Sequence, residues 1–235
     1  MMEIQPPPDV PAPPPSDDAL RSRRLFRRII AYGIISLVVL IIVGLVPSWW
    51  GKSRRPHELY RTLGNAKQLG LALMEFEKDY GKYPGADTIA EVRQRTGTSL
   101  SLGTSSSNHY LRQLLAADIL DEGAFYSRGT STKRPDRRID VSGALEKGEC
   151  GFAYVPGLDF SSPPGTPVLI AGLIHGTDRV NPAVPDGVAV LVCVDGTVKE
   201  GITDKHGHLI IGGKRLLDPA NPIWKGLPPS LAWPE

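Results

Sequence analysis

The sequence predicts an α+β protein in which one N-terminal transmembrane helix precedes a long amphipathic helix packed on a small antiparallel sheet. Three observations predict this. Residues 29–46 form an uncharged run rich in Ile, Leu and Val, leucines and alanines then recur at spacings of three and four, and beyond Cys150 the apolar period drops to two. Apolar residues at 41% and charged residues at 22% are ordinary globular values, while 25 glycines and 22 prolines in 235 residues argue for loops and against a long helical bundle. A net charge of +2 is too small to imply nucleic acid as the partner. Two cysteines cannot build a disulfide-scaffolded mini-domain or a four-cysteine zinc site.

Residues 1–28 read as a cytoplasmic arm. Its first part is Pro-rich and extended, and its second carries Arg21, Arg23, Arg24, Arg27 and Arg28. The run at 29–46 rises about 27 Å at 1.5 Å per residue, close to the roughly 30 Å of bilayer hydrocarbon, and Trp49 and Trp50 follow as an interfacial belt. Its exit, Val46-Pro47-Ser48-Trp49-Trp50, lacks the small residues that a signal peptidase needs. The segment is therefore expected to stay as a signal anchor in the inner membrane, with the arginine side inside. Pro47 and Pro56 are expected to interrupt the helix, leaving 47–55 as a juxtamembrane linker before a periplasmic domain at 56–235.

In that domain Leu59, Leu63, Ala66 and Leu73 define the packing face of a helix of about 24 residues, ended by Gly81 and Pro84. Gly64 and Gly70 each weaken it by roughly 1 kcal/mol, so it must be stabilised by packing. A second helix carries Leu111, Leu114, Leu115 and Ile119, with Asn108 as its N-cap, after a Ser/Thr-rich stretch at 96–107 that reads as a mobile loop. Strands are expected at 151–155, 168–173, 188–194 and 209–211, and Asp195-Gly196 at a two-residue hairpin turn. A helix that cannot stand alone and a sheet with one apolar face would bury each other in two layers.

The strings Asn65-Ala66-Lys67-Gln68-Leu69-Gly70-Leu71-Ala72-Leu73 and Asp79-Tyr80-Gly81-Lys82-Tyr83-Pro84 resemble the helix and exit turn of the type IV pilin and type II secretion pseudopilin superfamily. Cys150-Gly151-Phe152-Ala153-Tyr154-Val155 and the stretch from Val190 to the Asp195-Gly196 turn are similar to its strands and late hairpin. The resemblance covers residues 29 to about 200 and implies a membrane helix leading into a periplasmic helix-on-sheet domain. It also implies partners among envelope or pilin-like proteins, besides the lipid bilayer that holds the anchor. The prepilin cleavage motif is missing: Gly33 is followed by Ile34-Ile35-Ser36-Leu37-Val38, with no acid at the fifth position.

Catalytic signatures fail on inspection. His57-Glu58-Leu59-Tyr60-Arg61 has an arginine where a zinc protease needs its second histidine, and Ile211-Gly212-Gly213-Lys214-Arg215 lacks both the first glycine and the Ser or Thr of a phosphate loop. The expectation is a non-enzymatic protein with no catalytic residue, no cofactor and no metal ligand. The alternative is a tethered metal-binding protein or enzyme built on His175, His206 and His208. Cys150 and Cys193 are either one disulfide across neighbouring strands or two buried thiols.

Overall fold

The computed structural model describes the backbone at 17–141, 143–226 and 228–235, and side chains from 57 onward except 142 and 227, together with those at 32–34, 36–37 and 39–41. The first part of the arm, the interfacial tryptophans and much of the apolar run lie outside the described side chains. Two compact units divide the chain at 1–52 and 53–235.

Helix α1 is Asp17–Tyr80. It includes positions 47 and 56, where interruptions were expected; a proline removes one backbone hydrogen bond and does not by itself end a helix. In the first unit Tyr32, Ile34, Leu37, Val39, Leu40 and Ile41 are all at least half exposed. Among the described residues alone, no helix is long and apolar enough to cross a membrane.

The second unit is α+β. After Gly81, whose positive φ ends α1, come α2 (Ile89–Thr96) and α3 (Ser107–Ala116). A four-stranded antiparallel sheet follows, β1 (Phe152–Tyr154), β2 (Pro167–Ala171), β3 (Val190–Cys193) and β4 (Val198–Glu200), paired in that order. A second antiparallel sheet contains β5 (Ile202–Thr203), β6 (Leu209–Ile211) and β7 (Lys214–Arg215). Every residue of β1, β2 and β3 is buried, so these three strands are covered on both faces, while β4 is partly buried at Val198 and exposed at Lys199 and Glu200. One face carries Phe152, Tyr154, Leu169, Ala171, Val190 and Val192 into a core with Ala66, Leu69, Leu73 and Phe76 of α1. The other sends Ile170 and Leu191 into a second core with Ala189, Leu209, Leu216 and Trp224. Two layers were expected; the third exists because alternate residues of 188–194 are apolar on both sides and the C-terminal segment folds over the second side.

Other corrections are local. Helix α3 is capped by Ser106, whose Oγ accepts the His109 N–H at 3.3 Å, while Asn108 is wholly buried and donates to the Leu145 and Glu146 carbonyls, both at 3.0 Å. The stretch 96–107 is anchored by buried Leu100 and Leu102. The β3–β4 turn takes three residues, Val194, Asp195 and Gly196, since Val192 pairs with Val198 and Cys193 N–H bonds the Thr197 carbonyl. Only Gly196 of the three has positive φ, and Gly196 N–H donates to the Cys193 carbonyl at 2.9 Å, closing a turn followed by a glycine bulge. The Asp195 carboxylate holds this shape by accepting from Thr197 N and Oγ1 at 3.0 and 2.6 Å.

Candidate functional site

The predicted helix face packs into the first core. Ala66 and Leu73 are buried, and Leu59 and Leu63 are partly buried against the same core. Gly70 sits where α1 meets the hairpin: a Cβ there would lie 3.1 Å from Val192 Cγ1 and 3.4 Å from the Gly196 carbonyl oxygen. Its absent side chain therefore lets helix and turn approach, which gives the helix-weakening glycine a packing role. At the exit of α1 the Tyr83 hydroxyl donates to the Val194 carbonyl and the Tyr154 hydroxyl to the Pro84 carbonyl, each at 2.8 Å.

No disulfide joins the cysteines. Both are buried free thiols. Cys150 leads into β1 and Cys193 closes β3, with β2 between these strands. Strands two apart are separated by about 9.5 Å, beyond the roughly 7 Å that a disulfide spans between Cα atoms. Burial pushes the Cys150 thiol up to about 11, and burial also raises Cys193, so neither is a ready nucleophile.

The three histidines go to separate places. His175 lies beside the Trp233 ring at 5.4 Å, in a cleft of about 300 Å³ that also takes in Thr130 and Asn181. His206 is exposed in a turn held by Asp204, which accepts the N–H groups of His206 and His208 at 2.8 and 2.9 Å. His208 Nδ1 bonds Asp178 Oδ1 at 2.7 Å, and Arg215 donates to both oxygens of the same carboxylate at 3.0 and 3.1 Å. Burial pushes the Asp178 carboxyl up, but Arg215 and His208 outweigh it and hold it below its ordinary value. This node joins the segment before β3 to β6 and β7. Among the described residues, the one cluster spaced to share a metal ion contains none of these histidines, so the histidine metal site is not formed.

No family model, no curated protein and no solved structure matches the chain. What the arrangement can do is therefore argued from its own side chains.

Two further groupings come together only in three dimensions. Ser105 and Ser106 Oγ both reach His109 Nδ1, at 2.9 and 2.8 Å, and Glu235 Oε1 lies 2.9 Å from the same nitrogen. A catalytic triad needs the acid on one ring nitrogen and the nucleophile on the other. Here all three contacts converge on Nδ1, which makes the group a tie between the α3 N-terminus and the C-terminal segment. The second grouping is acidic. Glu122, in the 3-10 turn Glu122–Phe125, meets Asp136 and Glu149 so that one oxygen from each lies within 4.8 Å of the others. Glu122 and Glu149 are buried and Asp136 is exposed. Burial, against hydrogen bonds from Leu145 and Arg137, and repulsion from Glu149 and Asp136 push the Glu122 carboxyl up. Sequence reasoning missed this cluster because its members lie in irregular segments with neither period nor motif spacing.

Proposed function

We propose that the chain is a non-enzymatic, single-pass inner-membrane protein whose pilin- or pseudopilin-like domain lies in the periplasm and works through protein contacts, in secretion, pilus-like assembly or envelope scaffolding. The observation that carries the reading is the first unit's row of exposed apolar side chains. At about 100° per residue Tyr32, Ile34, Leu37, Val39, Leu40 and Ile41 spread over more than half of the circumference of α1, and the sequence has Ile35 and Val38 at the positions of the remaining arc, within a run without charge. A helix apolar all round is stable in lipid and costly in water. The buried helix-on-sheet packing of the second unit and the order of its elements support the pilin-like part of the reading, and the dispersal of the histidines favours it over the metal-enzyme alternative.

Fractionation of cells expressing the full chain tests the anchor. The protein should stay with membranes through alkaline carbonate washing, and protease added to spheroplasts should digest the domain at 56–235 while sparing the arm at 1–28. Release by carbonate would overturn the anchor, and digestion of the arm alone would reverse the topology. Intact mass should show an unprocessed membrane form; a mature chain beginning near Ile34 would make the protein a processed pilin instead.

A further inference from the structure

We infer that the open edge of β4, with the groove between it and the outer side of α1, docks an extended strand of a partner protein. The strand is added antiparallel and carries a basic, an acidic and an apolar residue in succession opposite Glu200, Lys199 and Val198. The inference rests on the protein-contact reading proposed above and gives that contact a place and a chemistry.

Main-chain geometry comes first. Strand β4 is the last of its sheet and pairs with β3 alone among the described residues. The Cys193 N–H bonds the Thr197 carbonyl and the Gly201 N–H bonds the Ala189 carbonyl, so Lys199, midway between, turns its own N–H and carbonyl toward Leu191. The N–H and carbonyl groups of Val198 and Glu200 therefore point away from β3. These four groups stand along one edge, about 6.8 Å apart from one residue to the other, and none has a hydrogen-bond partner among the described residues. Another extended backbone matches that alternation of donors and acceptors, and a helix does not.

The groove beside this edge is the second observation. Val198 and Glu200 stand opposite Val192 and Val190, whose side chains face α1, so a residue added opposite either one also projects toward α1. There Tyr60, Leu63, Gly64 and Lys67 line an open groove of about 630 Å³ with β4. Gly64 keeps it open: a Cβ there would meet nothing within 4 Å, whereas one at Gly70 would meet the hairpin. Gly64 thus weakens α1 without helping it to pack inside the domain, and Tyr60 in the same groove is 71% exposed.

Charge selects the occupant. A second copy pairing symmetrically through the outward groups would set Lys199 against Lys199, at about 4.5 Å between Cα atoms, or Glu200 against Glu200, and like charges directly opposite are destabilising. The remaining register, centred on Val198, would need Gly196, which the turn holds against Gly70. Such charges guard an edge against its own kind while favouring a strand of complementary order. The apolar residue of that strand would also cover the partly buried Val198 and Leu63.

The test is titration of the purified, isotope-labelled full chain in detergent with a capped synthetic peptide, TTKEVTT, followed by nuclear magnetic resonance. Binding in detergent is blind to where the chain sits in a cell, so failure here and failure of the fractionation are read separately. Millimolar peptide should slow amide exchange at Val198 and Glu200 and leave Lys199, which already faces Leu191, unchanged. Methylating the peptide's valine nitrogen removes one main-chain donor and should weaken binding about tenfold. Exchanging the peptide's charges, as TTEKVTT, should weaken it by a similar factor, and Lys199→Glu combined with Glu200→Lys should reverse that preference. Gly64→Leu enters open space, so it should fold and yet abolish binding; if it does not fold, the charge exchange decides. No binding at millimolar peptide, equal binding of the two peptides, or binding that Gly64→Leu leaves intact would overturn the site. So would a dimer of the chain that Gly64→Leu dissolves, since it would give the edge to a second copy.

Discussion

The two faces of the four-stranded sheet are stabilised by different means. Toward α1, the core is filled by large side chains from regular elements: Leu69, Leu73 and Phe76 from the helix against Phe152, Tyr154 and Leu169 from the strands. On the far side fewer apolar groups suffice, because short strands and turns are tied by polar nodes. Asp178 fixes His208 and Arg215, the buried Asn221 side chain donates to the carbonyls of Ile211 and Arg215, and Trp224 Nε1 donates to the Leu216 carbonyl at 2.7 Å. Periodic burial builds one face, and side-chain hydrogen bonds assemble the other. The first should resist single polar substitutions and yield to cavities; the second should respond to both.

Four changes sharpen that contrast. The largest effect is expected from Leu73→Ala, which empties a fully packed position on the helix face and should cost about 2–5 kcal/mol in urea unfolding of the full chain. A cost below about 1 kcal/mol would mean that α1 is a solvated stalk. Leu209→Ala, equally buried on the other face, should cost about 2 kcal/mol, the low end, because the short β5–β7 sheet around it can settle into the gap. Equal losses at Leu73 and Leu209 would erase the distinction between the two cores.

Asp178→Asn should cost about 1.5 kcal/mol at neutral pH, the scale of hydrogen bonds to a charged group. Its pH dependence follows from a carboxyl whose folded-state pKa lies below the ordinary value. The unfolded chain then binds the proton more readily, so the stabilisation is full above the ordinary aspartate range and is lost as pH falls through it toward the folded value. The gap between the two proteins, read from urea midpoints, should therefore close on acidification, and a gap that widens would remove Asp178 from this role. The smallest effect is expected from Lys67→Ala, on the exposed side of α1, at less than about 0.5 kcal/mol in the same assay.

The same contrast explains what the sequence revealed. Leu59, Leu63, Ala66 and Leu73 were legible because a 3.6-residue period repeats for several turns, and β3 because four β-branched or aliphatic residues precede Asp195-Gly196. Helix α2 was missed because it buries only Val92 and so shows no stripe. The turn length escaped because Asp195-Gly196 suits two loop classes, and the choice depends on which strand residues pair. The second core, the Asp178 node and the Glu122–Asp136–Glu149 cluster share one difficulty. Their members meet across tens of residues of irregular chain, where nothing local marks a buried acid as different from a solvated one. The disulfide reading failed for a related reason: spacing along the chain says nothing of the strand that lies between.

The two phenol hydrogen bonds at the exit of α1 also bear on mechanics. A pull along α1 would reach the sheet through its packed side chains, which must slide past one another, and through Tyr83 on Val194 and Tyr154 on Pro84, which anchor the trailing end. Loading many contacts in parallel is a shear arrangement, harder to rupture than a seam opened one contact at a time. The hairpin turn pressed on Gly70 adds a stop against axial slippage. The helix and sheet thus form a coupling suited to transmitting tension through the domain rather than yielding to it.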